Sequence, residues 1–163
     1  MLRVGELVKP TPDLLLKLAQ TMRKADVDEV WALCHHRPFE ALTFSVLASQ
    51  DPWMWVVDGR PICCFGVASN TAVSTNVAPW FLSSEELPKY AKYFARRSKK
   101  LAQYWATQYP VMQNYVDERH TDAIRWLRWL GFNTLPAVKL GPDRMPFLPF
   151  EMRRPCANQP LSQ

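Results

Sequence analysis

Glycine is scarce in this chain, which has five glycines in 163 residues and none from Asn70 through Asn114. Loops that bind phosphate through backbone amide groups usually contain several glycines, because the backbone must turn tightly and approach the ligand closely. The sequence therefore contains no glycine-rich phosphate loop in its middle part.

Long apolar segments are absent too. No run approaches the roughly 20 residues of a membrane span, and the first residues lack the apolar core of a signal peptide. We therefore expect an intracellular chain without a membrane span.

At 163 residues, 48% of them hydrophobic, the chain can bury one sizeable core but is short for two. We predict a single domain over residues 1–153 and a flexible tail over 154–163, where proline and polar residues show no periodicity.

The four cysteines include no Cys-x-x-Cys pair, the spacing that would suggest zinc or a redox centre. Adjacent Cys63 and Cys64 would point to opposite faces of a strand, which disfavours a disulfide between them. We expect all four to be buried thiols.

His35 and His36 have no Asp, Glu or Cys at a ligand spacing, so we predict no metal site.

A net charge of +5 is compatible with binding to nucleic acid, acidic proteins or an anionic cofactor, and it selects none of these. Much of the positive charge lies on a predicted long helix. Three- and four-residue steps place Lys89, Lys92, Arg96 and either Lys99 or Lys100 on one face of that helix. This face can be a solvated surface, or it can contact nonspecific DNA or an acidic partner.

Hydrophobic periodicity and turn residues predict an α/β chain of alternating strands and helices. Strands are predicted over 2–8, 53–57, 60–67, 75–82, 111–116, 134–140 and 147–152, and helices over 12–22, 26–34, 38–49 and 85–108. Another helix starts at Thr121 or Asp122. Asp58-Gly59 predicts a tight hairpin turn. The order predicts helices flanking a central, mostly antiparallel twisted sheet of six or seven strands.

Residues 116–132 comprise a strand end, a polar loop, a helix and the sequence Leu-Gly-Phe. Thr121 or Asp122 can cap the start of the helix, and Gly131 can close it in a left-handed conformation. This segment resembles the closing motif of the GNAT acetyltransferases. In that superfamily the strand offers backbone groups to acetyl-CoA and the helix packs beneath the cofactor, so the resemblance implies a GNAT-like fold.

A more specific resemblance spans most of the chain. Residues 18–31, 65–67, 109–117 and 124–132 look like the internal virion protein family of short-tailed phages, whose members are described as acetyltransferase-like. This resemblance implies a virion component that contacts other phage proteins, or nonspecific DNA, during particle assembly or genome ejection. It also implies location in the phage virion and, during infection, in the host cytoplasm. The oligomeric state stays open.

The GNAT resemblance also implies where acetyl-CoA would bind. The pyrophosphate loop would fall between the fourth strand and the long helix, with Leu82, Ser83 and Ser84 as candidate contacts. Glu85 and Glu86 would place negative charge beside the phosphates there, and Pro88 removes an amide donor. Asn114 and His120 are further candidate contacts to the cofactor. Asn114 could instead satisfy backbone groups at the strand edge, and His120 could be an ordinary polar loop residue.

The catalytic groups implied by the resemblance are incomplete. Superfamily members commonly place a tyrosine, the general acid, where this chain has Leu127, and leucine cannot transfer a proton. The candidates for a catalytic base are Glu118, His120, Asp117 and Glu85, each with a solvated-surface alternative. We therefore expect a catalytically degenerate protein without a cofactor. The alternative is an active acetyl-CoA-dependent N-acetyltransferase that modifies a host protein.

Two basic surfaces remain open to interpretation. Arg96 or Arg97 could contact the 3′-phosphate of a cofactor, a third interpretation of the long helix. Arg125 and Arg128 alternate with Trp126 and Trp129 on the later helix, a combination typical of protein interfaces. Either tryptophan could equally belong to the core.

Overall fold

A computed structural model of the protein describes residues 4–69 and 75–154. The helices are α1 (Pro12–Thr21), α2 (Lys24–Cys34), α3 (Pro38–Leu47), α4 (Ala91–Gln108) and α5 (Thr121–Leu130). The strands are β1 (Glu6–Val8), β2 (Trp53–Val57), β3 (Arg60–Ala68), β4 (Asn76–Ser83), β5 (Val111–Asp117), β6 (Asn133–Thr134), β7 (Val138–Leu140) and β8 (Met145–Arg153). The predicted α/β class is confirmed.

The strands form one sheet in the order β1-β2-β3-β4-β5-β8-β6, with β7 paired to β8. Every pairing is antiparallel except that of β4 with β5, which is parallel. The helices α1 and α3 pack on one face of the sheet against β2 and β3, and α4 and α5 pack on the other. The sheet is therefore covered by helices on both faces, and the apolar side chains on each face of its strands are buried.

The β2–β3 hairpin follows the prediction closely. Asp58 and Gly59 have φ values of 49° and 74°, so both central residues of the turn have positive φ. A turn of this kind matches the right-handed twist of the strands that it joins. The hairpin places Cys63 and Cys64 on opposite faces of the sheet, each buried in a different core cluster with a free thiol, and burial raises the pKa of both.

Strands β4 and β5 pair over only two positions, Asn76 with Val111 and Val77 with Met112. Continuing the same register would place Pro79 opposite Asn114. Proline has no amide hydrogen to donate, so the ladder cannot continue through it. Beyond these pairs the two strands diverge toward their carboxyl ends, and the sheet opens in its middle.

The structure differs from the predicted elements at three places. The long helix begins at Ala91 rather than at residue 85, after a 3-10 turn at Leu87–Tyr90 that contains Pro88. The strand predicted over 134–140 is two short strands separated by Pro136, which interrupts pairing. Over residues 4–69 and 75–154 the sheet consequently has eight strands. The first strand begins at Glu6, and residues 2 and 3 of its predicted span lie outside the described residues.

The prediction that all four cysteines are buried was wrong, because Cys34 is exposed. Trp31, one helical turn before it, is exposed as well. The buried residues of α2 are Asp26 and Ala32, and Val27 and Val30 pack against the apolar core under α1 and α3. The first half of α2 therefore contacts the core, whereas its last turn reaches the surface. Cys156 and most of the predicted tail lie outside the described residues.

The histidine pair has ordinary partners. His35 stacks on Trp31 and lies 2.8 Å from a carboxylate oxygen of Asp143, and His36 stacks on Phe44. In the part of the chain that the structure describes, no group of three or more His, Cys, Asp or Glu residues could hold a metal ion. Over the same residues, no helix is long and apolar enough to cross a membrane.

We expect Gly131→Ala to destabilise the fold by about 1 kcal/mol, because Gly131 closes α5 with a φ of 110° that L-residues rarely adopt. Its amide donates to Arg128, and the amide of Phe132 donates to Leu127. Urea unfolding measures the loss. Gly131→Asn should lose less than Gly131→Ala, since asparagine tolerates positive φ better. Equal stability of wild type and Gly131→Ala would contradict this account.

Candidate functional site

The opening between β4 and β5 is the main concave feature of the protein. A cavity of about 1390 Å³ lies there and continues along α4 and the neighbouring part of the sheet. Its wall combines aromatic side chains, among them Phe81 and Trp126, with a few polar groups, among them Asn114 and His120. Apolar clefts with a few convergent polar groups are the usual form of a ligand site.

Asn114 bridges the point where the strands part. Its side-chain amide donates to the carbonyl of Pro79 at 3.0 Å, and its side-chain oxygen accepts from the amide of Tyr115 at 2.9 Å. Asn114 thus joins β5 to β4 through its side chain, beyond the last backbone pair of the two strands. This places a structural role on a residue that the sequence analysis considered as a cofactor contact.

Asp26 ties α2 to the end of β4. Its Oδ2 accepts from the amide and the hydroxyl of Ser83 at 2.8 and 3.0 Å. Its Oδ1 lies 2.9 Å from Nε2 of His120, in the loop after β5. Asp26, Ser83 and His120 are all buried. A buried carboxylate is costly unless its oxygens are paired, and here both are.

Glu29, one helical turn after Asp26, ties the same helix to the end of β5. Its Oε2 accepts from the amide of Asp117 at 2.8 Å. Burial raises the pKa of Glu29 to about 7, against the opposing effects of the Asp117 amide and of His120. The carboxyl of Glu29 therefore binds a proton at higher pH than an ordinary glutamate does.

The groups around Glu29 have shifted pKa values as well. Burial lowers the pKa of His120, but its hydrogen bond to Asp26 and the nearby charge of Glu29 outweigh burial and raise it overall. Burial raises the pKa of Asp117, yet its hydrogen bonds with Arg119 lower it overall. Arg119 contacts both oxygens of Asp117, at distances from 2.7 to 3.3 Å. Clusters of this kind occur at functional sites and in structural ion networks.

The loop between β4 and α4 is the place where the GNAT resemblance put the pyrophosphate. Its amide groups donate within the protein: Ser83 to Asp26, Ser84 to Ile62, Glu85 to Thr21, Glu86 to the hydroxyl of Ser84, Leu87 to Ser84 and Lys89 to Glu86. Pro88 has no amide hydrogen. A diphosphate bound in the usual way needs amides of this loop that point outward and lack partners. The residues present do not fit that group.

The side chains of this loop are also engaged. Leu82 lines the cavity and packs in the core under α1 and α3. Ser83 and Ser84 are fully buried. Glu86 pairs with Lys89 and Arg60, at 2.9 and 3.4 Å, and hydrogen bonding to Lys89 lowers its pKa. The two cations that could attract a phosphate here are therefore held by Glu86.

The other candidate site residues are dispersed. Glu118 is exposed and is not part of the cavity wall, whereas His120 is buried and lies in that wall. Leu127 is buried in the apolar core beneath β5 and offers no proton. Trp126 packs against Phe81 and Phe94 and donates to Ser98 of α4 at 3.2 Å, so it belongs to the interior. Trp129 is 49% exposed.

Most of the predicted surface cations have partners. Lys89 pairs with Glu86, and Lys99 donates to the carbonyl of Trp129 at 2.6 Å and lies over its ring. Arg128 donates to Thr134 at 3.1 Å, and Arg125 lies 3.9 Å from Asp122. Lys92 and Arg96 are exposed, and neither has a partner among the residues that the structure describes.

Sequence reasoning missed Asp26 and Glu29. Their spacing of three residues places them on one face of α2. The available indication was that this face interrupts the apolar pattern of the helix with two acids. A pair of acids on a helix is usually solvated, so sequence alone could not distinguish this pair from a surface one.

Comparison with known proteins identifies the fold. No protein-family model matches the chain, and no curated protein matches it. Solved structures do match, among them Ard1 from Thermoplasma volcanium, at a TM-score of 0.67 and 12% identity over 93% of this chain and 98% of that one. The ribosomal-protein-S18-alanine N-acetyltransferase from Escherichia coli matches at a TM-score of 0.63 and 12% identity over 98% of this chain and 99% of that one.

A third similar structure carries its cofactor. It is a GNAT superfamily phosphinothricin acetyltransferase from Sinorhizobium meliloti in complex with AcCoA, at a TM-score of 0.67 and 15% identity over 93% of this chain and 89% of that one. The fold of this chain is therefore the GNAT acetyltransferase fold, as the sequence resemblance implied. At these identities the likeness concerns the fold alone, since one fold hosts many functions.

We predict that the protein is more stable at about pH 5 than at about pH 8 because Glu29 and His120 bind protons more tightly when folded. Both have raised pKa values, so their contribution is present in acid and lost as pH rises through the folded pKa values. Glu29→Gln should remove the share of Glu29, about 1 to 2 kcal/mol across that interval. Urea unfolding at several pH values measures it.

The matched control is Glu118→Gln, which neutralises an exposed carboxylate two residues from His120. It should leave the pH dependence of stability as in wild type. If Glu29→Gln and Glu118→Gln gave the same profile, Glu29 would not titrate as described.

Proposed function

We propose that this chain is a phage-particle component that keeps the acetyltransferase fold without acetyltransferase chemistry, and that it acts through its surfaces in assembly or genome ejection. The observation that carries the proposal is the loop between β4 and α4, whose amides from Ser83 to Leu87 all donate within the protein. The role in a phage particle rests on the sequence resemblance over residues 18–31 and 124–132.

The energetic argument concerns the exchange of hydrogen bonds. A typical internal hydrogen bond contributes about 1 kcal/mol net, and one to a charged group about 1.5 to 3 kcal/mol. Freeing Ser83 from Asp26 would in addition leave a buried carboxylate short of donors. To bind a diphosphate, the loop would have to break these internal hydrogen bonds. Breaking them would cost several kcal/mol before any contact with the ligand formed.

Isothermal titration with acetyl-CoA tests the proposal. We expect no heat of binding at micromolar cofactor, because the amide groups of the loop are already occupied. An active acetyltransferase of the same fold serves as the positive control. Micromolar binding by this chain would contradict the proposal.

The role in the particle has its own test. Virions purified from infected cells should contain this chain in a fixed ratio to the other particle proteins. Its presence in the lysate alone, with none in purified virions, would remove the structural role.

A second candidate is an acetyl-CoA-dependent N-acetyltransferase, which the printed names of the similar structures favour. The specific observation behind it is Glu29 in the cavity wall, with a pKa of about 7 and with His120 nearby. A carboxylate that titrates near neutral pH is suited to take a proton from an amine. Leu127, where the superfamily commonly has a tyrosine, supplies no acid.

Thiol release from acetyl-CoA, measured with and without host lysate, distinguishes the two candidates. The second candidate predicts release in the presence of lysate, an acetylated host protein by mass spectrometry, and loss of both in Glu29→Gln. Under the first proposal, wild type and Glu29→Gln release no thiol above the buffer rate.

A further inference from the structure

The net charge of the protein is concentrated on α4. The chain has 20 basic and 15 acidic side chains, and α4 carries five lysines and arginines and no acid. The basic residues of this one helix therefore account for the whole excess of positive charge. The remainder of the chain is balanced.

This charge does not serve the stability of α4. Lys92 lies in the first turn of α4, where the helix dipole favours acids. Lys92, Arg96 and Lys100 follow one another at steps of four, where like charges repel by a few tenths of a kcal/mol per pair. Acids placed between these cations at the same steps would stabilise the helix instead. The arrangement therefore points to a negatively charged partner.

Three of the five cations are free to contact such a partner. Lys92, Arg96 and Lys100 are exposed and have no partner within residues 4–69 and 75–154. Lys99 differs from them because it caps the carboxyl end of α5 at the carbonyl of Trp129. Arg97 lies over the ring of Tyr93.

The free cations form a line rather than a pocket. Steps of four residues advance about 6 Å along the helix axis, so the row from Lys92 to Lys100 extends for about 12 Å. A single phosphate group is bound by donors that converge on it, and these cations do not converge. A line of exposed cations fits an extended polyanion with repeated charges.

An aromatic side chain continues the same row. Tyr104 follows Lys100 by four residues and is 59% exposed. Lys100 and Tyr104 also border the large cavity, whose wall there includes Trp53, Phe65 and Trp105. Cations in line with accessible aromatic rings are typical of sites for single-stranded nucleic acid, where phosphates pair with the cations and unpaired bases stack on the rings. An acidic protein would use the charges but would have no base to stack.

We propose that the exposed face of α4, formed by Lys92, Arg96, Lys100 and Tyr104, binds single-stranded nucleic acid without reading its sequence. The cations contact successive phosphates, and the ring of Tyr104 stacks on a base. The proposal goes beyond the function proposed above and does not depend on the occupied loop between β4 and α4.

Fluorescence anisotropy of a labelled oligonucleotide of about 20 deoxythymidines, titrated with the full chain, tests the proposal. Affinity should fall as salt rises, with a log–log slope of about −2 for three phosphate contacts. Lys92→Glu with Arg96→Glu should weaken binding at least tenfold and make the slope shallower. Tyr104→Ala should weaken binding by about five- to a hundred-fold and leave the slope unchanged, because stacking releases no counterion.

The matched control for the double variant is Lys17→Glu with Lys139→Glu, two exposed lysines elsewhere whose replacement changes the net charge equally. It should retain wild-type binding, and Tyr104→Phe should retain most of it. Equal losses in the two double variants would show that net charge alone acts and would overturn the proposal. Unchanged affinity in Tyr104→Ala, tighter binding to duplex than to single strand, or no binding at low salt would overturn it as well.

Discussion

Two carboxylates of α2 hold together a sheet that has parted in its middle. Pro79 stops the ladder between β4 and β5, and past that point the two strands share no backbone hydrogen bonds. Asp26 then binds the amide of Ser83 at the end of β4, and Glu29 binds the amide of Asp117 at the end of β5. Because the two acids lie one turn apart on a rigid helix, α2 fixes the distance between the strand ends. His120, in the loop after β5, also pairs with the carboxylate of Asp26.

The same contact engages the amide groups that a diphosphate would need. Asp26 holds Ser83 inward, and the amides that follow are satisfied by Ile62, Thr21 and the turn itself. These amides attach α1 and α2 to the end of β4. The carboxylate of Glu86 lies between Lys89 and Arg60 and pairs with both. Under the function proposed above, the closed loop and a bound diphosphate would compete for the same amide donors.

Elements with local determinants were predictable from sequence. Asp58-Gly59 specified its hairpin and Gly131 the end of α5, because positive φ strongly limits the residues that can occupy such positions. The start of α4 was not predictable in the same way. The segment before this helix is held by a bridge between Met22 and Ser84, two residues that are far apart in the sequence. The site was accessible only in part. His120 was a candidate from its place in the motif, whereas the roles of Asp26 and Glu29 depend on a helix that crosses the strand ends, which no local pattern encodes.

The account rests on amide groups that are already bonded before any ligand arrives. Hydrogen exchange of the amides of Ser83, Ser84, Glu85 and Leu87, followed by NMR in the free protein and with excess acetyl-CoA, tests this most directly. The account predicts slow exchange in the free protein and no change when acetyl-CoA is added. Fast exchange in the free protein, followed by protection on addition of acetyl-CoA, would show that these amides are free to bind phosphate and would contradict the account.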